Sequence, residues 1–143
     1  MPKTCYNRIM DYIKQDGGRS LYYKNRTGDC VVRSIALALE QDYKKTWLDL
    51  FELGTQLGEM PNAEKVYTRY LKDHGYRKNR PQRCANGHLQ QIIHYRGGPC
   101  IMRTRDHLTY INRHGDICDS WDCRMQLMFS YYTRDDVQNL NQW

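Results

Sequence analysis

The apolar positions along this chain change period once, near its middle. Between residues 3 and 15, Tyr6, Ile9, Met10 and Ile13 fall at the spacing of one helical face, and Gly17-Gly18 stops the pattern. From Cys30 to Leu39 the run Cys-Val-Val-Arg-Ser-Ile-Ala-Leu-Ala-Leu is apolar on nearly every side, which marks a helix at the centre of a core. Thr27 or Asp29 is placed to cap its start. Tyr43, Trp47, Leu50, Phe51 and Leu53 or Gly54 recur at helical spacing and predict a second helix ending near Gly58 and Pro61. Val66, Tyr67, Tyr70 and Leu71 predict another over 63–74, closed by Gly75, and 88–95 reads as a short one ending at Gly97-Gly98. The period then shortens. Segments 99–104, 107–112, 116–121 and 127–133 carry β-branched and aromatic residues between turn residues and read as strands. Helices followed by a small, mostly antiparallel sheet make an α+β arrangement.

A chain of 143 residues closes one hydrophobic core but not two, so a single domain over 1–143 is expected, with its core about 20–133. Twelve tyrosines and three tryptophans argue against disorder despite low hydropathy and predict an aromatic-rich core. No apolar run approaches the roughly 18–20 residues of a membrane span, and the start Met-Pro-Lys-Thr-Cys lacks a signal peptide's apolar stretch. A cytoplasmic protein without membrane partners is the expectation. In that setting the six cysteines read as free thiols rather than a disulfide framework. The net charge of +6 concentrates at Arg77, Lys78, Arg80 and Arg83, a stretch that reads as a solvated loop able to touch phosphates or acidic protein.

The chemistry-bearing residues come in an informative order. Cys30 follows Thr27-Gly28-Asp29 at the head of the buried helix, where the helix N-terminus favours a thiolate. Asp106-His107 and Asp119-Ser120-Trp121 lie downstream, so the chain supplies a thiol nucleophile, a base and an orienter for the base. If 112–116 form a three-residue hairpin loop with Gly115 in the left-handed position, Asn112 pairs with Asp116 and Thr109 faces Asp119. His107 and Asp119 are then diagonal neighbours on one face, with Trp121 shielding them. A two-residue turn would shift the register and bring Asp122 to His107, which makes Asp122 the reserve orienter. Asp29 beside a thiolate opposes its ionisation unless it caps the helix or pairs with a base such as Arg33. Cys84, His88, Cys118 and Cys123 are zinc-type ligands, but their spacings are loose; neither metal nor cofactor is expected.

These motifs, Asp29-Cys30-Val31-Val32-Arg33, His107 and Asp119-Ser120-Trp121-Asp122, resemble the papain-like cysteine peptidase superfamily over about residues 20–133. The Asp29-Cys30 pair is also similar to the peptidase domains that trim double-glycine leader peptides, and the short segments look like small phage-encoded proteins of this fold. The resemblance implies a papain-like fold and a thiol peptidase or amidase with Cys30, His107 and Asp119 as its triad. The substrate would be a protein or peptide, and the site of action the host cytoplasm if the chain is phage-encoded. The family's oxyanion glutamine has no equivalent here; Asn25 is the neutral amide in that stretch and takes its place as candidate. The competing expectation is an inactive fold that binds protein or nucleic acid through Arg77, Lys78, Arg80 and Arg83.

Overall fold

A computed structural model describes residues 9–134. Three helices, α1 (Cys30–Leu39), α2 (Tyr43–Leu57) and α3 (Glu64–Asp73), pack on one face of a six-stranded mixed sheet. Its strands are β1 (Tyr12–Lys14), β2 (Tyr76–Asn79), β3 (Cys100–Arg103), β4 (Leu108–Ile111), β5 (Ile117–Asp119) and β6 (Ser130–Arg134). They lie in the order β1-β5-β4-β3-β6-β2, antiparallel except for the β1/β5 pair. The α+β expectation holds, and no helix among the described residues is long and apolar enough to cross a membrane.

The central helix begins and ends where its sequence predicts. Val31, Val32, Ser34, Ile35 and Ala36 are all buried, and α1 packs against both β4 and α2. Alternation on the strands divides the core into two layers: Ile101 faces the helices with Ile35, Leu50 and Tyr132, while its neighbour Met102 faces the other side with Ile92, Ile111 and Met128. Ile35 is fully buried between helix and sheet, so Ile35→Ala removes packed volume from both. It should destabilise the protein by about 2–5 kcal/mol, read as a lower denaturant midpoint at unchanged slope.

Three elements differ from the sequence pattern. The helix expected over 3–15 is not found in its described part: Tyr12–Lys14 is a strand beside β5, with Gln15 N–H donating to the Asp119 carbonyl and Ile117 N–H to that of Asp11. Met10 is buried but Ile9 is exposed, whereas one helical face would bury both. Residues 3–8 lie outside the described range. The helix expected over 88–95 is one 3-10 turn, Ile92–His94, because the Ile92 and Ile93 amides donate to the carbonyls of Gln126 and Arg124 instead of building a helix. The basic stretch is no simple loop either. Arg77 and Lys78 sit on β2, an edge strand joined to the sheet by backbone bonds to β6, where exposed charge is compatible with pairing. Only Arg80 and Arg83 lie beyond it, and Arg83 bridges back to Leu89.

Gly17 fastens the entry segment to the central helix. Its φ is +69°, and a Cβ there would come within 2.8 Å of the Arg33 carbonyl oxygen. Gly17→Ala meets both a strained backbone and the helix, and a loss of more than about 1 kcal/mol is expected by thermal or chemical unfolding.

Candidate active site

The β4–β5 hairpin takes the three-residue form. Gly115 is left-handed at φ +83°, Asn112 N–H donates to the Asp116 carbonyl over 2.9 Å, and Tyr110 pairs with Cys118. One residue further along, that register places Thr109 against Asp119 and leaves His107 diagonal to the carboxylate. Their side chains meet, with His107 Nε2 lying 2.6 Å from Asp119 Oδ2. A turn at the other end of β4, in which Thr104 N–H donates to the His107 carbonyl over 2.9 Å, fixes the backbone of the histidine. Asp122 does not reach His107. It is exposed and held by its own neighbour Arg124, so the register excludes the reserve orienter.

Cys30 is the first residue of α1 and half-buried. It lines one hollow with His107, and the His107 ring and the Leu108 backbone N–H lie close enough to favour the thiolate. Because Asp119 holds Nε2, Nδ1 is the ring nitrogen left for a thiol partner. The Trp121 ring stands 4.8 Å from the imidazole and covers it from solvent.

Burial is the largest single influence on each of the three groups, and each has partners that overcome it. For Cys30, burial opposes the thiolate, but the His107 and Leu108 hydrogen bonds and the charges of His107 and Arg33 hold the thiol below its ordinary range. For His107, burial favours the neutral ring, yet hydrogen bonds to Asp119, Cys123 and Cys30 push it up to about 11. For Asp119, burial again opposes charge, while His107 and the Ser120 N–H keep the carboxyl below the usual carboxylate range. The imidazolium therefore persists as pH rises to about 11, and the thiolate persists as pH falls to the lowered Cys30 value. Both shifts favour the ion pair over the neutral one. Asp119→Asn removes the strongest partner of His107, so the histidine should titrate lower by about 1–3 pH units, followed by its ring proton resonances. A titration that does not move would show that Asp119 is not what holds the charge.

Asp29 has been neutralised by pairing, not by capping. Its side chain makes no cap hydrogen bond; Oδ1 accepts from Arg33, and Oδ2 accepts from the Tyr43 hydroxyl at 2.5 Å, with Arg19 Nη1 3.7 Å away. The Arg33 guanidinium also reaches Asp119 Oδ1 at 3.3 Å and so joins the residue preceding the cysteine to the one orienting the histidine. Asp29 and Asp119 are opposed by Arg19 and Arg33, all largely buried, and the set is neutral whether the Cys30–His107 proton sits on sulfur or nitrogen. Of these groups the sequence pattern pointed to Arg33 as a partner for Asp29, but not to Arg19 or to the second bond of Arg33.

Cys123 is a further group that spacing did not reveal. It is buried, and its thiol donates to Asp119 Oδ2 over 3.5 Å. His107, Asp119 and Cys123 are the one set of three potential metal donors gathered among the described residues, their ligand atoms within 4.8 Å of one another. A metal on Nε2 would displace the His107–Asp119 hydrogen bond, so the same atoms serve proton transfer only without it. Cys84, His88, Cys118 and Cys123 form no such group among the described residues.

Two hollows flank Cys30. A polar one of about 210 Å³ is lined by Cys30 and His107 together with Arg103, Arg105 and Asp106. An apolar one of about 310 Å³ is lined by Val32, Trp47, Phe51, Met60 and Pro61. Val31 and Asn62 belong to both. Asn25 borders neither; it is exposed, with its carbonyl oxygens taken by Arg19, and Asn62 is the side-chain amide beside Cys30. A larger hollow, about 750 Å³ around Glu40, Tyr76, Tyr110 and Arg113, lies at the opposite end of α1 and includes none of the three groups. Comparison with protein-family models, with curated proteins and with solved structures finds no match for this chain.

Proposed function

We propose that the chain is a papain-like thiol hydrolase, a peptidase or amidase that transfers an acyl group from a protein or peptide to Cys30 and then to water. One observation carries this reading: His107 lines one hollow with Cys30 and is held through Nε2 by a buried carboxylate 2.6 Å away. In the first half-reaction the thiolate attacks the carbonyl carbon, and the imidazolium gives its proton to the departing amine. In the second, the neutral ring takes a proton from water as the thioester is opened and returns it to sulfur. Asp119 holds the ring's orientation and stabilises its charge. The Cys30 backbone N–H lies in the first turn of α1, has no partner within the helix and would hold the developing oxyanion. Action in a host cytoplasm, as a small phage-encoded enzyme, is part of the same proposal.

A binding module without turnover, working through residues 77–83, has weaker support. Lys78 is paired with Glu64 at 2.7 Å, and Arg83 donates to the Gly87 carbonyl. The test is digestion of a diverse peptide mixture by the purified protein, with new termini read by mass spectrometry. Cleavage by the natural chain supports the proposal. Its absence, together with salt-sensitive binding lost on charge reversal at Arg77 and Arg80, would favour the module.

A further inference from the structure

The two hollows beside Cys30 differ in chemistry, and the catalytic geometry assigns each to one half of a substrate. A general acid must lie within hydrogen-bond reach of the leaving group, so the leaving half occupies the hollow that contains His107. The acyl half stays on sulfur and extends the other way, past Val31, into the apolar hollow. We propose that this hollow is the specificity pocket, and that the enzyme takes acyl groups carrying a bulky apolar side chain such as leucine, methionine or phenylalanine. This inference rests on the thiol-hydrolase reading.

The pocket has the features of a built site. Trp47 and Phe51, one turn apart on α2, stack with ring centroids 5.4 Å apart at 12° and form a flat wall. Val31 and Val32 of α1, with Met60 and Pro61, complete the lining. Phe51 is 44% and Met60 70% exposed, apolar surface left open to water at the rim of a recess next to the nucleophile. The volume suits one large side chain, not a folded partner. The one carboxylate at its edge, Asp29, is engaged by Arg33 and Tyr43, so no free charge faces the occupant from there. Asn62 stands where the hollows meet and makes no hydrogen bond to any described residue, which leaves its amide to hold the substrate backbone.

The test uses peptidyl chloromethyl ketones, in which Cys30 sulfur bonds to the methylene carbon as the carbon–chlorine bond breaks and chloride leaves. Compounds of the form acetyl-Gly-X-CH2Cl and acetyl-X-Gly-CH2Cl, with X as Leu, Phe, Gly, Glu or Lys, are compared by alkylation rate at Cys30, located by peptide mapping. At one of the two positions, Leu or Phe should react at least about tenfold faster than Gly or Glu. Within Phe51→Asp, and separately within Met60→Glu, that ratio should fall towards one. Equal rates at both positions, or a preference that survives both substitutions, would overturn the assignment. Iodoacetamide, too small to use the pocket, separates the two levels. A His107-dependent reactive thiol with no side-chain preference overturns the pocket alone, whereas a Cys30 that reacts like a free thiol overturns the hydrolase reading and this inference with it.

Discussion

Cys30→Ala is expected to abolish turnover while leaving the fold intact. The side chain is half-buried at a helix start, and alanine is a good helix former there, so the lost volume is small and the backbone unaffected. In the proposed mechanism, by contrast, the sulfur forms the covalent intermediate, and no neighbouring group is positioned to replace it. Cys123 is buried behind Asp119, and Cys84 is exposed on a distant turn. Loss of a nucleophile in such a triad costs on the order of a million-fold in kcat. Peptide cleavage should therefore fall to background, with the unfolding midpoint nearly unchanged. A mutant that cleaves at the natural rate would remove Cys30 from the chemistry.

Arg33→Met is expected to give the largest loss of stability of any single change near the site. Its guanidinium lies between two carboxylates that are both almost wholly buried, and methionine fills the space without meeting either charge. Removing one partner from a buried ionic set costs about 3–5 kcal/mol, chiefly because the remaining charges are left uncompensated. Arg19 still opposes Asp29, but at 3.7 Å and from the far oxygen, so Asp119 is the more exposed to the loss. Arg33→Lys should recover only part, since an ammonium cannot engage both carboxylates as the guanidinium fork does. Chemical denaturation of the three proteins decides it. A methionine variant as stable as the natural chain would mean that the network is replaceable by apolar packing. The pH dependence follows from the lowered Asp119 carboxyl. Its stabilising contribution is complete above the usual carboxylate range and is lost as pH falls through the lower folded value.

How much of this could be read beforehand depended on whether the information was local. The bounds of α1 follow from a ten-residue apolar run with a turn before it, and the helix is where the run is. The meeting of His107 and Asp119 follows from a short hairpin, because Asn112 and Gly115 favour one loop and the loop dictates the register. That register also decided between Asp119 and Asp122. Edge strands were a different matter. β1 and β2 owe their conformation to backbone bonds with strands about 105 and about 55 residues away, and at three and four residues they are too short to show an alternating pattern. The Arg33–Asp119 contact spans 86 positions and no local pattern encodes it. The sequence points to Asn25 and not to Asn62 for the same reason: sequence proximity to Cys30 stands in for proximity in space, which the segment before α3 supplies instead.

The most direct measurement is the rate at which iodoacetamide alkylates Cys30 from about pH 4 to about pH 10, in the natural chain and in His107→Ala, with peptide mapping to separate the other thiols. A thiolate paired with His107 predicts a reactive plateau reaching well below the reference thiol value of about 8.5, and its loss in the histidine variant. A Cys30 that titrates like a free thiol in both proteins would contradict the account.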